Sequence, residues 1–553
     1  MSIIVKEIES IFKDIISNNN LEGEVLIERP REGSNGDFSS NFAMINSKLN
    51  NSNPIELANK ITTELSKNKI FDKVEVAGPG FINMTINEKI TFKVLNAINK
   101  EKEAFGSSER KNFKYNLELV SANPTGYLHV GHARNGAIGD SVARILRFAG
   151  YDVETEYYTN DAGNQINVSA VTLFYHYKLL LGQNIEKPEE MYGGDMYIEV
   201  AKAFLEKHGD KFKDLTFKDN KISDPETHEL FKKESIEIFM REIKKQLIQF
   251  GVEIQLYTSE AEMYSSNGIE HVLSIYKEKG KTYELDGALW LKTTEYGDDK
   301  DRVLVKSNGD YTYITPDLAC HQVRIERSGA DKYVNFWGGD HHGYISRMNA
   351  GLSLLGNKKD ILSIDMIQMV RLMKDGQEYK MSKRKGTAVW LIDLIEMVGK
   401  DAVRYMLLSK TPSSHMDFDL DVAVQKNATN PVYYAQYATA RCNKIITKAA
   451  DMGLDINELD TELEINDKEK QLIILMDSFN RIVEYSASSR LPNIICEFIQ
   501  NLSKKFHSYY GDTKIFDENN LALSKQKVFL IKCILQVLSN AFNLIGIEVI
   551  KEM

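Results

Sequence analysis

One stretch, residues 117–150, restricts this chain more than any other. A β-prone apolar run over residues 115–120 leads into a turn, Ser121-Ala122-Asn123-Pro124-Thr125-Gly126. The turn opens a helix expected from near His129 to Ala149, with Gly150 where a left-handed glycine ends helices. A second strand, residues 153–158, follows at once. Strand, turn, helix, strand is a βαβ unit, and its first turn is where such folds bind phosphates. His129 and His132 are three apart, so a helix sets them on one face at its positive end. Gly131 between them leaves the backbone open to a flat ligand. Two imidazoles with free backbone N–H groups suit a phosphate chain that gains charge in a transition state. A helix that merely begins with two polar histidines would read the same way in this stretch alone.

At 553 residues the chain is too long for one core, so three or more domains are expected. The start, MSIIVKEIESIFKDII, carries acidic residues inside its apolar periodicity and resembles neither a signal nor a transit peptide. No run is read as reaching membrane-spanning length. Cys320, Cys442, Cys496 and Cys533 lie far apart with no CxxC pair, which points to reduced thiols in a cytoplasm. A net charge of -10 argues against coating nucleic acid through bulk charge and leaves room for local basic patches.

Residues 1–108 read as a small α+β domain. Its glycine-rich loop, Arg29 to Phe38, is either a solvated loop or an RNA-backbone contact. After the βαβ unit, the polar cluster 158–165 falls at the carboxyl edge of a strand. Residues 182–250 read as an insertion closed by a long helix over 226–250. Residues 253–257, 288–292 and 302–305 are β-patterned and read as the second half of the sheet. Thr315 is a plausible N-cap and Pro316 a plausible first helical residue. Asp317 then falls in the first turn, where the dipole keeps a carboxylate ionised. It is either a favourable helix-start acid or an anion awaiting a cationic substrate, with Tyr313 beside it. A strand over 333–336 ends in Trp337-Gly338-Gly339-Asp340-His341-His342-Gly343, suited to close approach of a ribose and base. Adjacent histidines with no third ligand make a poor zinc site. A strand over 367–373 precedes a cation-rich loop, Lys374 to Thr387. That loop is either a solvated charge run or a mobile loop that brings ammonium groups onto a triphosphate. Beyond Trp390 the pattern is helical over 391–397, 401–409, 423–452, 467–488, 491–510 and 524–544, the last four suggesting a bundle. Pro431 kinks or restarts its helix. Tyr433 and Tyr437 share a face, either packing in the bundle or stacking on bases.

His129-Val130-Gly131-His132 resembles the HIGH motif of class I aminoacyl-tRNA synthetases, and Lys380-Met381-Ser382-Lys383-Arg384 resembles their KMSKS loop. The stretch Ala122-Asn123-Pro124-Thr125-Gly126, running on through Tyr127 and Leu128, looks like the arginyl subgroup. So do Tyr313-x-Thr315-x-Asp317, Gly338-x-Asp340-His341-His342-Gly343 and Asn430-Pro431-Val432-Tyr433-Tyr434. Asp401-Ala402-Val403-Arg404 resembles the DALR motif, and Gly36-Asp37-Phe38 looks like the additional N-terminal domain that contacts the tRNA elbow. The resemblance spans essentially the whole chain.

It implies an α/β Rossmann-type catalytic domain with an insertion, a small α+β N-terminal domain and an all-α anticodon-binding bundle. The expected bounds are 1–108, 109–400 with the insertion at about 182–250, and 401–553. The implied reaction joins arginine to ATP as arginyl-adenylate, then transfers arginine to the terminal 2′-OH of its tRNA. His129, His132, Lys380 and Lys383 would be catalytic. Val130, Gly131, Gly338, Asp340, His341, Met381 and Ser382 would join them in holding ATP. Glu118, Ser121, Asn123, Tyr313, Asp317 and His342 would hold arginine. Gly36, Asp37, Phe38, Tyr433 and Tyr437 would touch tRNA. ATP is expected with Mg2+, no zinc or membrane is implied, and the enzyme is expected to be a monomer that needs tRNA to activate arginine. Departures are small: the motif reads DAVR, the loop reads KMSKR, and residues 546–548 follow the family loosely. Gly126 stands where some members have lysine, which leaves open whether Lys380 takes its place. The rivals are another class I synthetase such as the cysteinyl enzyme, a synthetase-like tRNA-binding protein without catalysis, and a nucleotidyltransferase.

Overall fold

The computed structural model describes residues 2–30, 36–339, 342–379, 389–459 and 465–553. Asp340, His341, Lys380, Met381, Ser382 and Lys383 lie outside the described residues, as does the side chain of His342.

The N-terminal part packs helix α1 (Ile3–Asn18) and helices Pro54–Leu65 and Lys89–Glu101 on a four-stranded antiparallel sheet. The central part is a parallel sheet of β1 (Lys114–Val120), β2 (Asp152–Thr159), β3 (Leu256–Ser259), β4 (Lys332–Gly338) and β5 (Leu362–Ile367), ordered β3-β2-β1-β4-β5. This doubly wound order reverses between β1 and β4, and such a switch point opens a crevice at the carboxyl ends of the strands. Helix α2 (Val130–Phe148) follows β1, and α3 (Pro225–Phe250) brings the insertion back to β3. Helix α4 (Ile314–Ser328) precedes β4, and α5 (His342–Leu354) follows it.

Three local readings need correcting. Strands Ala288–Leu291 and Arg302–Val305 leave the main sheet: Ala288–Leu291 forms an antiparallel hairpin with Thr282–Leu285 on one side and pairs antiparallel with Arg302–Val305 on the other. A two-residue Asp286-Gly287 turn with positive φ at both residues (52° and 75°) forces that hairpin. A parallel crossover needs a far longer connection. The single strand expected over 367–373 is two: it breaks after Ile367, and β6 (Val370–Lys374) starts a separate small sheet with β7 (Gln377–Glu378). Thr315 is not the N-cap. The helix starts at Ile314, two residues earlier than expected, and the Thr315 hydroxyl donates to the Leu304 carbonyl at 2.7 Å.

The C-terminal part begins with α6 (Lys400–Leu408) and β8 (Met416–Asp419), which pairs parallel with β6. Helix α7 (Pro431–Asp451) restarts at Pro431 because the Asn430 side chain accepts the N–H groups of Val432 and Tyr433. The long helix expected over 467–488 divides at Ser478 into α8 (Asp467–Asp477) and α9 (Phe479–Ser489). Helices α10 (Asn493–Asp512) and α11 (Leu521–Ile545) complete the bundle. Contrary to the sequence reading, α11 is long and apolar enough to cross a membrane, with a mean hydropathy of 1.8 over its most apolar 18 residues. It is the buried centre of the bundle, packed on α7 and α10. One apolar core runs from Ile4 through α2 to Ile547, so the three parts are docked over shared hydrophobic surface.

Candidate active site

The switch point holds a cavity of about 830 Å³. Ser121, His129, Val130, Gly131, His132 and Asn135 line it from β1 and α2. Gly338 and Gly339 line it from the end of β4, and residues 367–370, Tyr313, Asp317, Trp337 and Tyr344 complete the lining.

The turn before α2 is held from several sides. Ala122 is tied to the Tyr157 hydroxyl through both its N–H and its carbonyl. The Thr125 carbonyl accepts from Tyr197, which belongs to the insertion. A Cβ on Gly126 would lie 3.0 Å from Met196 Cε, so the insertion already fills the space a lysine there would use. His129 is the N-cap of α2, and its Nδ1 accepts the Gly131 N–H at 3.0 Å. The His132 Nδ1 accepts the His129 N–H at 3.5 Å. Each ring therefore carries its proton on Nε2, as assigned from these bonds. The rings stack with centroids 3.7 Å apart. Burial pushes both pKa values down, that of His132 to about 3, with the neighbouring His129 adding to the effect. Two neutral N–H donors thus stand at the positive end of a helix. The chain beyond the cation-rich loop returns to the same place: Trp390 bridges to His129, and the Leu391 N–H donates to the Leu128 carbonyl at 2.7 Å.

The cavity also carries an acid, Asp317, with Glu260 close to it outside the lining. Asp317 accepts from the Tyr344 hydroxyl, and burial raises its pKa to about 6. Glu260, just past β3, is raised to about 7 by burial and then by Asp317 and Asp161. The dipole of α4 therefore does not keep Asp317 at an ordinary carboxylate pKa, because desolvation outweighs it. Tyr313 is 91% exposed and lies on the rim, and Tyr344 takes the place expected for it on Asp317. Asn123 does not line the cavity; its amide donates to Gln165 at 2.9 Å. Glu118 lies beneath the cavity, where Arg324 bridges it at 3.0 Å to Glu156 at 3.3 Å. Burial raises Glu118 to about 7 against the pull of Arg324. Among the described residues no three His, Cys, Asp or Glu side chains gather as a metal site.

The residues expected to touch the tRNA elbow sit at a packed joint. Asp37 is 5% exposed and Phe38 2%, and a Cβ on Gly36 would lie 2.8 Å from the Met84 carbonyl. Asp37 pairs instead with Lys470 at 2.8 Å and accepts from Gln471 at 2.9 Å, both on α8. These residues dock the N-terminal part on the bundle, because a buried carboxylate must take its partners from the protein. Tyr433 and Tyr437 are half-buried and stacked at 6.2 Å, with Arg441 4.2 Å above the Tyr437 ring.

Sequence reasoning missed Tyr344, Glu260 and Asn135. Glu260 was findable: it follows the carboxyl end of a parallel strand, where such sheets put their ligand groups. Tyr344 stands directly after the glycine-rich run at the end of β4.

The "tRNA synthetases class I (R), catalytic domain" family model matches residues 93–449. The arginyl tRNA synthetase N terminal domain model matches residues 2–86, and the DALR anticodon binding domain model residues 435–553. The arginine–tRNA ligase of Mesoplasma florum is 53% identical over 553 residues, covering 100% of both chains. That of Bacillus subtilis is 40% identical over 534 residues, covering 96% of this chain and 94% of its own. The fold is shared with the Thermus thermophilus arginyl-tRNA synthetase, with a TM-score of 0.74, 19% identity, 99% of this chain and 100% of that one covered.

Proposed function

The chain belongs to the arginyl-tRNA synthetase family, and from that premise we propose how its residues carry the reaction. It is an ATP-dependent ligase that joins arginine to tRNA. An oxygen of the arginine carboxylate attacks the α-phosphorus of ATP and pyrophosphate leaves. The 2′-OH of the terminal adenosine then attacks the carbonyl carbon of the adenylate, and AMP leaves.

His129 and His132 donate Nε2–H bonds to phosphate oxygens, more strongly as charge builds on them. They act as donors and not as acids, since both are neutral at physiological pH. Lys380 and Lys383 contact the β- and γ-phosphates, with Met381 and Ser382 alongside. Val130, Gly131, Gly338, Asp340 and His341 hold the adenosine. Asp317, oriented by Tyr344, takes the guanidinium, with Glu260 as a second anion close by. Tyr313 covers the rim, Ser121 and His342 serve the α-amino and carboxylate end, and Asn123 and Glu118, outside the cavity lining, act there through the residues they hold. Mg2+ comes with the ATP phosphates. No covalent nucleophile is required, because positioning and charge stabilisation suffice for this displacement.

The parts divide as 1–108, 109–400 and 401–553, the insertion buttressing the HIGH-like turn through Tyr197. Tyr433 and Tyr437 are the RNA-stacking surface of the bundle, since a half-buried stacked pair keeps a face for a base. The enzyme works as a cytoplasmic monomer and activates arginine only with tRNA bound.

One observation carries the reading: two neutral imidazole donors and a partly buried carboxylate line one cavity at the switch point. The test is ATP–pyrophosphate exchange with each amino acid, with and without tRNA. Exchange is expected with arginine and tRNA only. Exchange driven by another amino acid, and not by arginine, would overturn the specificity.

A further inference from the structure

The nucleotide end of the cavity has two walls. One is α2, through His129, Gly131, His132 and Asn135, and the other is the joint between β5 and β6, residues 367–370. What spans them is Arg134, two residues past His132 and 0% exposed. Its Nη1 donates to the Gln368 carbonyl at 2.6 Å and to the Ser414 carbonyl at 2.9 Å. Its Nη2 donates to the Thr411 carbonyl at 3.0 Å, while Nε is buried with no partner. Gln368 stands two residues before β6 and Ser414 two before β8, so one planar fork fastens α2 to the starts of both paired strands.

Among the described residues this guanidinium has carbonyl partners only. Burying a cation without a carboxylate is costly, and filling the space requires no charge. A fork that reaches two chain segments at once is the feature neither lysine nor an apolar side chain reproduces. Burial lowers the guanidinium pKa to about 10, so it stays charged at neutral pH.

We propose that Arg134 is a positioning residue for ATP: it sets the gap between the histidine pair and the wall at residues 367–370, and so the seat of the nucleotide. This rests on reading the cavity as an ATP and arginine site. The test uses the full-length chain and its Arg134→Lys variant, with Arg134→Met as the stronger change. ATP binding is measured by calorimetry without arginine, together with KM for ATP, KM for arginine and Tm. For Arg134→Lys, the Kd and KM for ATP are expected to rise about tenfold or more while KM for arginine stays within about twofold. Tm should fall modestly, because buried carbonyls lose a donor, and the split between the two KM values is what separates positioning from loosening. ATP binding unchanged from wild type overturns the proposal. So does a parallel rise in both KM values, which marks general loosening. A wild-type chain that binds ATP and loses that binding in the lysine variant, yet charges no arginine, keeps the proposal and overturns the functional reading.

Discussion

At the residue scale, acids and imidazoles have exchanged their usual titration ranges. His132 is neutral down to about pH 3, whereas Asp317 and Glu260 titrate at about 6 and 7. Guanidinium binding needs the carboxylates ionised, so kcat/KM for arginine should fall as pH drops through 7 and then 6. Replacing Glu260 by Gln should shrink the upper limb, leaving there the titration of Glu118, itself raised to about 7, and pH profiles of exchange for both enzymes decide this. Asp317 also carries a stability consequence. Its folded-state pKa lies above that of the free side chain, so its stabilising contribution is present at low pH and lost as pH rises through about 6. Asp317→Asn should therefore raise Tm at pH 8 while abolishing arginine-dependent exchange. A scanning calorimeter and the exchange assay read the two effects separately. The carboxylate was legible in the sequence from its helix-start position. Its raised pKa and its partner Tyr344 were not, because the first comes from burial in the tertiary fold and the second is brought in from α5.

At the element scale, the histidines stand where they do because α2 lies almost flush on β1. A Cβ on Gly139 would come within 2.8 Å of Leu119 Cδ2 and 3.2 Å of its Cα, whereas one on Gly136 would meet Val120 and Val252 at an ordinary 3.4 Å. Gly139→Ala should push the helix off the strand, costing about 1–3 kcal/mol, and weaken ATP binding with it. Gly136→Ala should be neutral or stabilising by up to about 1 kcal/mol, since alanine favours the helix. Denaturant unfolding and KM for ATP separate the two variants. The strand–turn–helix was readable from periodicity and turn residues. The Asp286-Gly287 hairpin was equally readable by its dipeptide and was passed over in favour of a continuous sheet.

At the scale of the whole molecule, the DAVR motif is a joint. The Arg404 guanidinium is 0% exposed. It donates to Asp140 on α2 at 2.6 Å, to the Ile545 carbonyl on α11 at 3.0 Å, and to the Phe250 and Gly251 carbonyls at the end of α3, both at 3.2 Å. Arg404→Ala would leave three sets of buried acceptors short of a donor, though Arg144 keeps its bond to Asp140 at 2.8 Å. We expect a loss of about 3 kcal/mol or more. Amide exchange should rise first at the carboxyl ends of α3 and α11, which native-state hydrogen exchange would locate.

Local chemistry determined what the sequence could tell by itself: the βαβ unit, the histidines at a helix start, the kink or restart at Pro431, and the succession of an α+β part, a sheet and a helical bundle. Those features depend on neighbours within a turn or two, so period and turn residues reveal them. Only the tertiary structure decided that Asp37 is a docking group, that Arg134 spans the two walls of the cavity, and that Asp317 faces Tyr344. These residues meet partners tens to hundreds of positions away. Whether a charged side chain faces water, RNA or another carboxylate is set by the packing that buries it, which no local pattern records.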